Sequence, residues 1–175
     1  RGWLTLIHDQ HQMEGARHKA NWLNCNGVDG QIIDKARVEE MLPGLNVNDN
    51  PRFPVRGAFL QERGGTIRHD AVAWGYARAA DRLGVDIIQN CEVTGFDMAD
   101  DQITAVNTSK GRVETGKVGV AVAGHSGVIA EKAGFRLPIT SHCLQAMVSE
   151  PVKPFLDHVV ISPGTGVYIN QTQKG

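Results

Sequence analysis

The segment GGTIRHDAVAWGYARAA (residues 64–80) joins a pair of glycines to the strongest helical pattern in the chain. From His69 onward, apolar side chains recur every three or four residues and therefore share one helix face. These side chains are Val72, Tyr76, Ala80 and Leu83, with Ala73 and Ala77 beside them. Gly84 follows, and a glycine just after the last periodic residue commonly ends a helix. We therefore predict a helix that begins at His69 and stops before Gly84.

A second informative segment is VGVAVAGHSGVIAEKAG (residues 118–134), which predicts a buried apolar strand, a glycine turn and another helix. Free backbone amides at such a turn can hold an anionic or polar cofactor group. The alternative is that Gly124 and Gly127 only form the tight turn that packing requires. The dinucleotide fingerprint GxGxxG is absent from the sequence, so the turn by itself leaves both interpretations open.

The rest of the chain alternates between helical and strand patterns. Helices are predicted at residues 9–24 and 34–41, and a loop rich in asparagine and proline at 46–54. Strands are predicted at 3–7, 57–61, 85–88, 91–96, 103–108, 112–114, 118–123, 137–140, 144–150, 158–162 and 166–171. This order predicts an α+β fold, with an α/β nucleotide-binding layer, an inserted β-meander and part of an antiparallel sheet. Because the sequence opens on a strand and closes on a hairpin turn, we expect a piece of a longer polypeptide, truncated at both ends.

Composition restricts the class of protein. Of the 175 residues, 41% are apolar and 21% are charged, as in an ordinary globular domain. Lys plus Arg (18) nearly balances Asp plus Glu (19), which gives no general attraction to nucleic acid or to an anionic membrane. No apolar run approaches the roughly 20 residues of a membrane helix, and no signal sequence opens the chain. We therefore expect a soluble, cytoplasmic protein that binds neither nucleic acid nor membrane, and small neutral or zwitterionic partners remain open.

Cysteine usage argues against a structural metal. Cys25, Cys91 and Cys143 are an odd number of widely spaced residues without a CxxC pair. This pattern favours reduced thiols in the cytoplasm and argues against a structural zinc site. We predict no metal ligands.

His69 is the residue with the clearest chemical potential. Neutral imidazole is nucleophilic, and the positive end of a helix dipole favours the neutral form, so a histidine at a helix start can attach a group covalently. Asp70 beside it suits a helix N-terminus electrostatically. A lone histidine is nevertheless more often a surface or hydrogen-bonded structural residue. Six others occur in the chain: His8, His11, His18, His125, His142 and His158.

Three long segments together resemble one flavoprotein family. They are GGTIRHDAVAWGYARAADRLGVDIIQNCEVTGF (64–96), ITAVNTSKGRVETGKVGVAVAGHSGVIAEKAGFRLPI (103–139) and LQAMVSEPVKP (144–154). In this order they closely resemble the β subunits of heterotetrameric sarcosine oxidases, within the D-amino-acid-oxidase-like superfamily of FAD-dependent oxidoreductases. The resemblance covers essentially the whole chain, and the segment RHDAVAWGYAR (68–78) narrows it to these subunits.

The resemblance implies two flavins and a partner subunit. Members of the family oxidatively demethylate sarcosine at a non-covalent FAD, and a covalent FMN lies at the interface with the large α subunit, where oxygen is reduced to hydrogen peroxide. The histidine of the RHD motif carries the FMN, which implies that role for His69. Their charge and nearness in the sequence make Arg68 or Arg63 the candidates to stabilise the reduced flavin or its phosphate. The family's backbone contact to the adenine of FAD corresponds to Val93, and its Ala-Gly turn near FAD corresponds to Ala123 and Gly124.

The resemblance also implies an arrangement of domains. Residues 57–135 correspond to part of the FAD domain, and 1–56 and 136–175 to parts of the substrate domain. No catalytic residue can be assigned, although Tyr168 lies in a strand that resembles a substrate-pocket strand. The family's GxGxxG unit and its C-terminal glycine-rich segment are expected beyond the two ends, so we predict that the isolated chain is inactive, binds no flavin and self-associates. The alternatives are a D-amino-acid or dimethylglycine dehydrogenase-like flavoenzyme, or a non-catalytic domain that docks to a partner subunit.

Overall fold

The computed structural model describes residues 2–49 and 52–172, and these divide into two compact units. The first unit contains the described residues up to Val72 and those from Val148 onward. The second unit is Ala73–Met147. These divisions lie later in the chain than the predicted bounds at 56/57 and 135/136.

The first unit is built on a five-stranded mixed sheet with two helices. Its elements in chain order are β1 (Trp3–Ile7), α1 (Gln10–Cys25), β2 (Gln31–Asp34), α2 (Lys35–Met41), β3 (Gly57–Gln61), β7 (Val159–Ser162) and β8 (Val167–Ile169). The strand order is β2-β3-β1-β7-β8. The β1–β7 pair is parallel, and the three other pairs are antiparallel. Because β3 pairs with both β1 and β2, residues 57–61 belong to the sheet of the first unit.

Aspartates begin both helices of the first unit, as their positions in the sequence predict. Asp9 accepts a hydrogen bond from the Gln12 amide at 2.8 Å, and Asp34 accepts one from the Arg37 amide at 2.8 Å. Such a cap satisfies an amide that the helix leaves unpaired and contributes about 1 kcal/mol. The predicted helices at 9–24 and 34–41 are therefore confirmed to within a residue at their ends.

The core of the first unit lies between the sheet and α2. It consists of buried side chains from β1, β2, α2, β3 and β7 together with the connecting loops: Leu4, Leu6, Ile33, Val38, Leu42, Val47, Val55, Ala58, Leu60 and Val160. Their alternation along β1 matches the period of two that places successive strand residues on opposite faces.

The second unit contains an antiparallel meander and two helices. The strands are β4 (Val93–Ala99), β5 (Gln102–Thr108) and β6 (Gly111–Glu114), paired in that order, and the helices are α3 (His69–Arg82), most of which lies here, and α4 (Ser126–Lys132). Asp100 and Asp101 connect β4 to β5 with φ angles of 48° and 59°, the left-handed geometry of a tight hairpin turn. The predicted helix at His69, its stop before Gly84 and the meander are all confirmed.

Several predicted strands are absent from the structure. Residues 118–122 and 85–88 form no helix or strand, and neither do 137–140 and 144–150. The prediction of a buried apolar strand before the glycine turn is therefore wrong for this chain, since Val120 is 51% exposed. An apolar run becomes a strand only when a neighbouring strand pairs with its N–H and C=O groups, and no described residue does so here.

Candidate functional site

His69 is the first residue of α3, and its side chain is exposed. The carbonyl of Arg68, the residue before α3, accepts a hydrogen bond from the Val72 amide at 3.1 Å. Asp70 lies in the first turn, where a carboxylate interacts favourably with the helix dipole. The structure thus places the imidazole at an accessible helix N-terminus, as predicted.

The two arginines near His69 are already paired with carboxylates. Arg68 Nη2 donates to Asp70 Oδ2 at 2.6 Å, and Arg63 Nε donates to Asp29 Oδ1 at 2.5 Å. The hydrogen bond from Arg68 lowers the pKa of Asp70, and the same contact raises the pKa of Arg68. The hydrogen bond from Arg63 likewise lowers the pKa of Asp29. Any anion that binds either guanidinium group must therefore compete with a carboxylate.

Val93 begins β4, which is an edge strand of the meander. On the β5 side, the Ser109 amide donates to the Glu92 carbonyl at 2.8 Å, and the Glu92 amide donates to Ser109 Oγ at 3.0 Å. Successive residues of a strand point their backbone groups to opposite sides, so the N–H and C=O of Val93 face the open edge. These two groups are a donor and an acceptor side by side, which is the combination that the donor and acceptor edge of an adenine ring requires.

Lys132 contacts the same open edge. Its ammonium Nζ donates to the Val93 carbonyl at 2.7 Å, and it lies 3.9 Å from Glu92 Oε1. Lys132 is the last residue of α4, which packs on β4 and buries Ala130. A carbonyl oxygen has two lone pairs, so this bond leaves one acceptor position on Val93.

Ala123 and Gly124 form a short 3₁₀ turn, Ala123–His125, directly before α4. Ala123 has a φ of 46°, a left-handed conformation that is unusual for alanine. The Gly124 carbonyl accepts from Ser141 Oγ at 2.6 Å, and a Cβ on Gly124 would meet that hydroxyl at an ordinary 3.6 Å. Packing among the described residues therefore does not require glycine at this position.

The predicted residues belong to both units. Val93, Ala123 and Gly124 lie in the second unit, where α4 connects the turn before it to Lys132 at its end. Arg68, His69 and Tyr168 belong to the first unit. Tyr168 is on the edge strand β8 and 65% exposed, so it forms no closed pocket.

Lys132 and Ser109 are the residues of this site that sequence reasoning missed. Each lies far from Val93 in the chain and belongs to no motif. The sequence signals were a lysine in the last turn of a helix and a serine at a hairpin turn, and both are common without any special role.

A cleft, the grouping of possible metal ligands and the length of the helices also bear on function. A cleft of about 490 Å³ in the first unit is lined by Gly2, Arg37, Met41, Leu60, Glu62, Asp157 and His158. None of the residues predicted from the sequence to bind a cofactor lines it. Within 2–49 and 52–172, no group of three or more His, Cys, Asp or Glu side chains is placed to hold a metal ion. Across the same residues, every helix is too short or too polar to cross a membrane.

Solved structures with the same fold include a dehydrogenase and an oxidase by name. L-proline dehydrogenase from P. horikoshii superposes with a TM-score of 0.81 at 22% identity, over 99% of this chain and 46% of the other. Glycine oxidase from Geobacillus kaustophilus superposes with a TM-score of 0.73 at 17% identity, over 99% of this chain and 45% of the other. At these identities the likeness establishes the mixed α/β fold alone.

Some curated relatives have a much higher sequence identity to this chain than these solved structures do. The sarcosine oxidase subunit beta of Rhizobium meliloti (strain 1021) is 50% identical over 175 residues, all of this chain and 42% of the relative. That of Rhodobacter capsulatus is 47% identical over the same 175 residues, again 42% of its length. The chain thus spans less than half the length of these relatives. The family model described as FAD dependent oxidoreductase matches residues 1–175, and the chain belongs to that family.

Proposed function

We propose that this chain is part of the β subunit of a flavin-dependent sarcosine oxidase, which converts sarcosine, oxygen and water to glycine, formaldehyde and hydrogen peroxide. The observation that carries the proposal is identity of 46–50% over the whole chain to three proteins named sarcosine oxidase subunit beta. When bound, FAD accepts two electrons from the N-methyl carbon of the amine, and the protein supplies binding and orientation.

The second unit supplies contacts for FAD in this proposal. The outward N–H and C=O of Val93 would pair with the adenine edge, because they lie on an edge strand and the carbonyl keeps one acceptor position beside Lys132. The turn at Ala123 and Gly124 would approach the cofactor through its backbone, beside the Ser141 hydroxyl that bonds to the Gly124 carbonyl. On the basis of the resemblance, residues 57–135, which include most of the second unit, would be nearer to FAD, with 1–56 and 136–175 nearer to the substrate and Tyr168 as a candidate pocket residue.

A second flavin, FMN, would be held covalently by His69. The support is the accessible imidazole at the start of α3 and the position of this histidine in an RHD motif. Arg68 would face the flavin anion once the ion pair between Arg68 and Asp70 is broken. Subunit names of the relatives favour a multi-subunit assembly, and we place the FMN against a larger α subunit in the cytoplasm.

A hybrid β subunit tests the proposal. In it, this chain replaces the matching 175 residues of the Rhizobium meliloti subunit, expressed with that organism's other sarcosine oxidase subunits. We expect bound FAD and peroxide formation that depends on sarcosine, with the unmodified relative as the control. A hybrid that assembles without flavin would instead indicate a docking domain.

The second candidate is a dehydrogenase acting on D-amino acids. D-amino acid dehydrogenase 2 of Mesorhizobium japonicum is 27% identical over 140 residues. This identity is lower than that to the sarcosine oxidase subunits, but the match covers 79% of this chain. Dimethylglycine is a further alternative substrate. A hybrid that holds FAD and is reduced anaerobically by a D-amino acid or by dimethylglycine, but not by sarcosine, would decide for one of these.

A further inference from the structure

We propose that Lys132 is a positioning residue for the adenine end of FAD, acting through the backbone of Val93. The inference rests on the proposed FAD contact of Val93. It adds a side chain outside every motif, because the Lys132 ammonium lies 2.7 Å from the Val93 carbonyl oxygen.

The peptide groups on both sides of Val93 are held from different directions. The Glu92 carbonyl, whose peptide contains the Val93 N–H, accepts from the Ser109 amide at 2.8 Å. The Val93 carbonyl accepts from Lys132. A donor and an acceptor that must match a planar ring edge are thereby both fixed before a ligand arrives, which reduces the ordering cost of binding.

Lys132 is needed at this point because the ladder is weak there. The pairing of β4 with β5 shifts register between Val93 and Gly95, so the sheet alone constrains the first peptide of β4 poorly. The Lys132 side chain is only 29% exposed, and partial burial strengthens a charge-assisted hydrogen bond.

Charge also matters at this carbonyl. An ammonium donor polarises the peptide and leaves one lone pair for the exocyclic amine of adenine. Glu92 Oε1, at 3.9 Å, orients the ammonium but is itself largely exposed. Arginine can restore the charged donor, whereas methionine retains the length of the side chain without any donor.

The experiment measures FAD and ADP binding to apoprotein of the hybrid β subunit in its complex. We expect Lys132→Met to weaken both ligands by the same factor, roughly ten- to a hundredfold, the size typical of a hydrogen bond to a charged group. Lys132→Arg should restore most of the affinity. Lys117→Met, at an exposed lysine of the same unit, should change neither.

The outcomes separate this inference from the proposed function. Loss of FAD affinity without loss of ADP affinity, or loss that Lys132→Arg does not restore, would overturn the positioning role while the hybrid still oxidises sarcosine. Unchanged affinity in Lys132→Met would do the same. If the unsubstituted hybrid assembles but binds neither FAD nor ADP, the proposed function itself fails.

Discussion

Arg68 and Asp70 form a two-point ion pair across His69. Arg68 Nη2 lies 2.6 Å from Asp70 Oδ2, and Arg68 Nε lies 3.3 Å from Asp70 Oδ1. Both side chains are exposed, so water screens the pair and limits its strength. The pair therefore holds the arginine beside the proposed flavin anchor in a form that a stronger anion can displace.

Substitutions of this pair should shift the reduction potential of the proposed covalent flavin in opposite directions. Arg68→Met should lower the two-electron potential by roughly 30–60 mV, because the reduced anion loses a charged hydrogen bond. Asp70→Asn should raise it, since the guanidinium is released to the flavin. Spectroelectrochemical titration of the hybrid complex measures both, and Arg78→Met on the exposed side of α3 is the control. Equal reduction potentials in all variants would show that Arg68 does not contact the flavin.

His69→Ala should abolish flavin that survives acid precipitation of the hybrid complex. FAD should remain bound and should still be reduced once by sarcosine without oxygen, because His69 lies downstream of substrate oxidation in the proposed scheme. Steady-state peroxide formation should therefore collapse. His142→Ala, at another exposed histidine, should retain the acid-stable flavin. Acid-stable FMN in the His69 variant would show that the anchor is elsewhere.

The isolated chain of 175 residues should contain no FAD and should not oxidise sarcosine. Affinity for FAD in such folds depends strongly on the pyrophosphate bound at a glycine-rich helix start, and this sequence has no GxGxxG. An absorbance spectrum and a peroxide assay of the purified chain check the prediction. A yellow preparation with sarcosine turnover would contradict it.

The isolated chain should also self-associate. Leu144 and Met147 are 93% and 97% exposed, and β8 is an unprotected edge strand. If an apolar patch mediates contact, Leu144→Asp with Met147→Asp should restore the monomer, whereas Val167→Lys should do so if strand edges pair. Light scattering over a concentration series distinguishes the routes, and a monomer at high concentration in the unsubstituted chain would refute the prediction.

Asp97 should make stability depend on pH in the acid range. Hydrogen bonds from Arg112 and then Asn107 lower the pKa of Asp97. A carboxyl whose pKa is lower in the folded state stabilises the fold above its unfolded pKa, about 3.9, and loses that contribution as pH falls through the folded pKa. Asp97→Asn should therefore melt below the unsubstituted chain near pH 6, with a difference that shrinks below about pH 4. Thermal denaturation by circular dichroism tests this, and Asp86→Asn, which removes an exposed carboxylate of the same unit, is the control.

Local signals in the sequence predicted the helices of both units and the meander. Asp9 and Asp34 mark helix starts because a carboxylate there pairs with amides only two or three residues away. Gly84 marks a helix end because its φ of 84° is accessible to glycine at little cost. Such features depend only on residues that are close in the chain, so they can be predicted without the tertiary structure.

Strands are harder to predict from local sequence than helices are. Residues 103–108 and 118–122 have similar apolar, β-branched patterns, yet only the former is a strand. The difference is a partner, since β5 hydrogen-bonds to β4 and β6 on its two sides. A strand is a property of at least two segments, so a single run of residues cannot define it.

What the sequence by itself determined was the family, the helices and the identity of the candidate residues His69, Val93 and Gly124. Only the tertiary structure decided that the parallel partner of β1 is β7, whose strands pair Leu4 with Val160, and that Lys132 holds the Val93 carbonyl. Contacts between residues so distant in the chain form only after folding has offset the entropy of closing the intervening loop. No local pattern encodes which of many equivalent lysines or apolar strands will make them.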